Sequence, residues 1–220
     1  MTTITAKQQQ AIADLLATMT LPAGLGTEES ACSIAAINLA LSGQLTDAIP
    51  LCMSAVIGRW IIGVQDKMPA EMRNSAEWKR LLPLAAGTGR KHERKRMEII
   101  MNWMWSTVLP TLQPIADRDG FGEQWRMMLQ QRTAEAAKTA SQAAVRASWA
   151  DTADAADTAD AAIAAAVAAD ARADHAVAPA VAYAAAIAAA VAADARADAT
   201  SPDAWQQFNP CGLLQELIAA

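Results

Sequence analysis

Along the first 130 residues, apolar side chains recur at the three-to-four-residue spacing of amphipathic helices. Ile12, Leu15, Leu16 and Met19 mark a helix from Lys7 to about Met19. LPAGLG, Leu21 to Gly26, reads as a loop. Thr27 followed by Glu28 and Glu29 reads as an N-cap with acids in the first turn. The helix it predicts runs to about Leu41, with Cys32, Ile34, Ala35, Ile37 and Leu41 on one side, and stops at Ser42-Gly43. Ile49 to Val64 is a third apolar stretch, in which Pro50 suits a first helical turn and Gly58 and Gly63 permit close approach of another backbone. Asn74 or Ser75 caps a short helix through Trp78 and Leu82, which Pro83 is expected to interrupt before the break at Gly87-Thr88-Gly89. Arg90 to about Leu109 predicts a strong helix that buries Met97, Ile100, Met101, Met104 and Val108, flanked by Trp103 and Trp105. Pro110 and Pro114 end it. After a turn at Asp119 to Gly122, a helix begins at Glu123 and carries Trp125, Met128 and Leu129 inward.

From about Thr133 to Thr200 the pattern changes to alanine with scattered Asp, Val, Ile and Arg. Alanine is the best helix former and loses no rotamer entropy in a helix. The 14 residues AAIAAAVAADARAD occur at Ala161–Asp174 and again at Ala185–Asp198, an offset of 24. The Asp/Thr/Ala segment from Asp151 to Asp160 offers capping side chains, so a break is expected there; Pro179 stops any continuous helix. The repeat therefore predicts a helical hairpin of two similar arms. Ile163 and Val167 stack on one face of the first arm, and Tyr183, Ile187 and Val191 on one face of the second. Alanine faces let helices approach closely but cover little apolar area each, so the block needs a partner surface. In the last twenty residues Trp205 and Phe208 are anchors, Asn209 to Gly212 a turn, and Leu213, Leu214, Leu217 and Ile218 a final helical face. The expected organisation is all-α: a compact helical region over 1–132, alanine-rich repeat helices over 133–200, and a docking tail over 201–220.

Charge sharpens this division. The net charge is −5, yet residues 1–133 carry 14 Lys+Arg against 12 Asp+Glu, and residues 134–200 carry 4 against 9. The acidic excess lies in the alanine block, which argues against nucleic acid or an anionic membrane as its partner. MTTITAKQQQ is no signal peptide, and the run Ala161 to Ala169 is far short of the roughly 20 apolar residues a spanning helix needs. A cytoplasmic protein is expected. Cys32, Cys52 and Cys211 lack metal spacing and read as buried, reduced thiols.

The densest candidate chemistry is GTGRKHERKR, Gly87 to Arg96. Cations before a helix oppose its macrodipole, and a bound anion would relieve this while accepting free N–H groups. Thr88, Arg90, Lys91, His92 and Arg94 would hold a phosphate or nucleotide, although the Walker spacing is missing. The plainer alternative is a solvated helix face with Glu93 and Glu98 paired to nearby bases. Trp60 beside Arg59, and Trp78 beside Lys79 and Arg80, combine a flat ring with a cation that would suit an aromatic anion; core packing is the alternative for every tryptophan. His92 and His175 have no visible metal partners. The carboxylates Asp151, Asp154, Asp157, Asp160, Asp170, Asp174, Asp194 and Asp198 read either as a docking face for a basic partner or as solubilising charge. Ser33, Ser54 and Ser106 lack a nucleophile-elbow context. No catalytic, cofactor or metal set is legible.

The alanine repeats, closed by Trp205…Phe208-Asn209-Pro210…Gly212-Leu213-Leu214…Leu217-Ile218, resemble the C-terminal part of alanine-rich bacterial and phage immunity-type proteins over roughly residues 133–218. The resemblance implies a non-enzymatic helical protein that neutralises a toxin or defence component by binding it. The expectation is an interaction or inhibitor protein, homo-oligomeric, with a nucleotide- or phosphate-binding protein acting through residues 87–96 as the alternative.

Overall fold

Side-chain caps set where the helices begin in the computed structural model, which describes residues 4–148, 153–170, 178–197 and 204–220. Thr5 and Gln8 form a reciprocal capping box at the start of α1 (Ala6–Thr18). Helix α2 (Ser33–Ser42) starts six residues after the expected Thr27 cap. Thr27 and Ser30 instead close a turn on each other, and the Gln65 Oε1 accepts from the Ser33 N–H at 2.8 Å. The N-cap itself is Cys32, whose Sγ accepts from the Ala35 N–H at 3.4 Å; an unusual cysteine cap backed by a distant glutamine hid this start in the sequence. Ser54 caps α3 (Ala55–Gln65) and Ser75 caps α5 (Ala76–Ala86) through the Trp78 N–H; the short α4 (Ala70–Arg73) lies between them. Pro83 sits buried inside α5 rather than interrupting it, since the packing of the flanking Leu82 and Ala85 outweighs one lost donor.

The described residues are helical apart from turns and one isolated bridge between Gly26 and Ala31, so the fold is all-α. Two units are distinguished: Met1–Arg96 with Pro210–Ala220, and Met97–Asn209. In the first, α5 packs on α1, α2 and the terminal helix α13 (Pro210–Ala219). Its core holds Trp60 and Trp78 with ring centroids 6.1 Å apart, and the Trp78 indole donates to Ser33 Oγ. Gly58 is required there: a Cβ would lie 2.6 Å from the Ile49 side chain. A buried cation, Arg73, donates to the Leu21, Gln65 and Met68 carbonyls at 2.7–2.9 Å and ties the loop after α1 to the end of α3 and the turn that follows it.

In the second unit, α6 (Glu93–Trp103, whose first turn belongs to the first unit) passes into a π-helical turn, Met104–Val108, and a 3-10 turn, Leu109–Leu112. Then come α7 (Gln113–Arg118) and α8 (Gly122–Gln131). Helix α8 ends at Arg132 in the left-handed conformation, so it does not run into the alanine block. That block forms α9 (Ala134–Ser148), α10 (Ala153–Asp170) and α11 (Ala178–Ala197), with α10 packed on both α9 and α11. Helices α9 and α10 are separate elements; α10 is helical from Ala153 through Asp160, and Asp151 and Thr152 of the expected capping segment lie outside the described residues. Pro179 sits in the first turn of α11, where its missing donor costs nothing. Helix α12 (Ala204–Phe208) packs on α11 and the π-helical turn, and its Trp205 and Phe208 are buried. Pro210 opens α13, so the expected turn at 209–212 reduces to Asn209, at φ 48°.

Helix packing in the block inverts the usual amphipathic arrangement. Ala161, Ala162, Ala165 and Ala168 of α10 and Ala185, Ala186, Ala188, Ala189 and Ala192 of α11 are fully buried. Ile163 and Val167, the larger apolar residues of α10, are each 48% exposed. Small side chains let backbones approach, and the close contact supplies dispersion that a thin apolar layer would otherwise lack.

Candidate functional site

The segment Gly87–Arg96 is held by residues that sequence reasoning left out of the site. Glu93, the first residue of α6, places its carboxylate over the start of α3. Its Oε2 accepts from the Ser54 hydroxyl at 2.7 Å and the Val56 N–H at 3.1 Å, and its Oε1 from the Ala55 N–H at 2.9 Å. An internal carboxylate therefore occupies the anion position at that helix N-terminus and complements its dipole. Thr88 is engaged as well: its Oγ1 accepts from the Ser54 N–H at 3.0 Å and donates to the Ala85 carbonyl at 2.7 Å. The Gly89 N–H donates to the Cys52 carbonyl. Arg96, buried and absent from the expected site, donates to the Leu217, Gly89 and Thr88 carbonyls. Burial pushes its guanidinium below the ordinary pKa, with Glu93 opposing.

Arg90, Lys91, His92, Arg94 and Arg59 are exposed. Arg90 to His92 precede α6 rather than opening it. Trp60 corrects the stacking expectation: it is 0% exposed, so it presents no ring face to a ligand. Trp78, Trp103, Trp105, Trp125 and Trp205 are buried too, which supports core packing for the described tryptophans. Trp149 and His175 lie outside the described residues, as do Asp151, Asp174 and Asp198 of the carboxylate series. The roles of Glu93 and Arg96 had no local signal, because Ser54 is 39 residues from Glu93 and Leu217 is 121 from Arg96.

A second candidate surface lies on the alanine helices. Asp160, Ile163, Val167 and Asp170 are all exposed and follow one another at spacings of three, four and three, so they share one face of α10. On α11, Tyr183 is 43% exposed, Ile187 and Val191 are half-buried, and Asp194 is exposed. The two faces match in sequence, Ile163, Val167 and Asp170 recurring as Ile187, Val191 and Asp194, although the α11 pair is the more covered. Asp170 pairs with Lys138 of α9 at 3.3 Å, an exposed pair that contributes little.

The three thiols are buried, free of disulfides, and depressed in reactivity. Burial raises the pKa of Cys32 and Cys52; it pushes Cys211 up to about 11, with Glu77 adding and Arg80 opposing. Slow modification by a disulfide reagent is expected at pH 8 in the native state, and fast modification of all three thiols in guanidinium. A thiol held protonated by folding stabilises the native state below about pH 9, and that contribution is lost as pH rises toward 11. The urea midpoint should therefore fall over this range, and fall less in Cys211→Ala. Among the described residues no group of three His, Cys, Asp or Glu is placed to hold a metal ion, and no helix is long and apolar enough to cross a membrane. No protein-family model, curated protein or solved structure matches the chain.

Proposed function

We propose that this chain is a non-enzymatic helical binding protein of the immunity or counter-defence type, which recognises a protein partner through the outward Ile/Val stripes of α10 and α11. The observation that carries this reading is the exposure of Ile163 and Val167 on a helix whose alanines already fill its packed side. Large apolar side chains that add little to their own core are retained at an energetic disadvantage in water unless something covers them. Asp160, Asp170 and Asp194 flank the stripes. Their charge favours a partner that offers apolar side chains ringed by Lys or Arg, and disfavours a second copy docking by the same face. The alternative reading, a phosphate or nucleotide ligand at 87–96, rests on the exposed Arg90, Lys91, His92 and Arg94, without Trp60 and with the Thr88 hydroxyl shared between two backbone groups.

Photo-activated cross-linkers placed at positions 163 and 167 are expected to capture one protein, while the same group at exposed Glu123 captures none. That protein, once purified, should bind Ile163→Glu/Val167→Glu at least about 100-fold more weakly than the parent, as for two central hot-spot residues. Equal affinity for the parent and the charged variant, with unchanged helicity, would refute the reading. Light scattering on the isolated chain reports self-association as a separate outcome.

A further inference from the structure

A cleft of about 90 Å³ opens in the second unit, lined by Met97, Glu98, Met101, Asn102, Trp105 and Arg132. Met97, Met101 and Trp105 are buried and make an apolar floor, while Glu98, Asn102 and Arg132 are exposed and make the rim. Two uncommon backbone features meet here. The first is the π-helical turn Met104–Val108, which contains Trp105; single π-helical turns are rare and occur often at functional sites. The second is Arg132, at φ 52° and ψ 38°, a left-handed helix end where glycine is least costly. An arginine there is strained, and its hydrogen bonds hold the guanidinium at the rim. Its Nη2 donates to Ser106 Oγ at 3.1 Å and its Nε to the Leu129 carbonyl at 3.4 Å; Ser106 Oγ donates to Asn102 Oδ1 at 3.2 Å. The cation is thus pre-positioned rather than left to sample rotamers. Glu98, one helical turn before Asn102, adds the opposite charge.

The volume leaves room for about six to nine water-sized atoms. A short apolar side chain carried on a head that bears both a carboxylate and an ammonium matches that size, that floor and a rim of both signs. We propose that this cleft binds a free α-amino acid with a small aliphatic side chain, its carboxylate on Arg132, its ammonium toward Glu98, and its side chain over Met101 and Trp105. The inference is independent of the partner-binding reading, because no residue of the α10 or α11 stripes lines the cleft.

The test is thermal unfolding of the full chain against each of the twenty amino acids, followed by calorimetric titration. A small aliphatic amino acid at about fivefold over Kd is expected to raise Tm by about 2–4 °C. Its N-acetyl derivative and its amide, each lacking one charge, should give no rise. Arg132→Asn keeps a residue that tolerates the left-handed conformation, and should melt like the parent without the ligand-induced rise. A ligand-induced change in tryptophan fluorescence should disappear in Trp105→Phe. The proposal is overturned if no amino acid shifts Tm, if the neutralised derivatives bind as well, or if the shift survives in Arg132→Asn.

Discussion

Enlarging a buried alanine of the repeat is expected to cost more than removing one of its exposed branched residues. Ala165 of α10 and its repeat equivalent Ala189 of α11 are both 0% exposed. Leucine at either position adds three carbons where two backbones meet closely, and overpacking of this kind costs about 1–3 kcal/mol. Ile163, two positions away, is 48% exposed, so Ile163→Ala should stay within about 0.5 kcal/mol of the parent. Urea unfolding of Ala165→Leu, Ala189→Leu and Ile163→Ala compares these directly. The reverse order, with Ile163→Ala the most damaging, would place the branched residues inside the bundle and remove the surface on which partner binding rests.

Replacing Arg96 by Met should destabilise the chain by about 3 kcal/mol, whereas Arg90→Ala and Lys91→Ala should each stay within about 0.5 kcal/mol. All three cations belong to one basic run, yet only Arg96 is buried, at 2% exposure. Its loss leaves the carbonyls of Thr88, Gly89 and Leu217 without their donor and leaves Glu93 without the nearby positive charge. Buried acceptors stripped of a partner forfeit their desolvation energy in full, which sets the magnitude. Equilibrium unfolding measures the difference, and hydrogen exchange should localise the loosening to residues 87–90 and to the end of α13. A stability change no larger than that of Arg90→Ala would show that the cation does not brace the loop.

The contrast between these positions shows how much was readable. Amphipathic spacing located the starts of α1, α6 and α8 to within a few residues, because helical periodicity is a local property of the chain, while α3 begins at Ala55 rather than around the expected Pro50. It misplaced the start of α2 by five residues, since a cysteine serves as its N-cap and the Ser33 N–H is satisfied by Gln65 of another helix. It also assigned Thr88 and Trp60 to a ligand surface, where one hydroxyl closes a turn and one ring fills a core. The phosphate motif and the loop brace are written in the same letters, and only Ser54, Cys52 and Leu217, all distant in sequence, distinguish them.

By itself the sequence determined the all-α class, the alanine-rich helices, the acidic bias of that block and the absence of a metal spacing among the cysteines. Each follows from propensity, periodicity or counting, and none needs a neighbour. Tertiary structure alone decided which side of the alanine helices faces inward, that Glu93 and Arg96 brace the basic segment, and that Arg132 meets Trp105 and Met101 at a cleft. Helical periodicity defines faces without saying which one is covered. That choice depends on how closely two backbones can approach, and here the alanines permit the closer contact and take the interior.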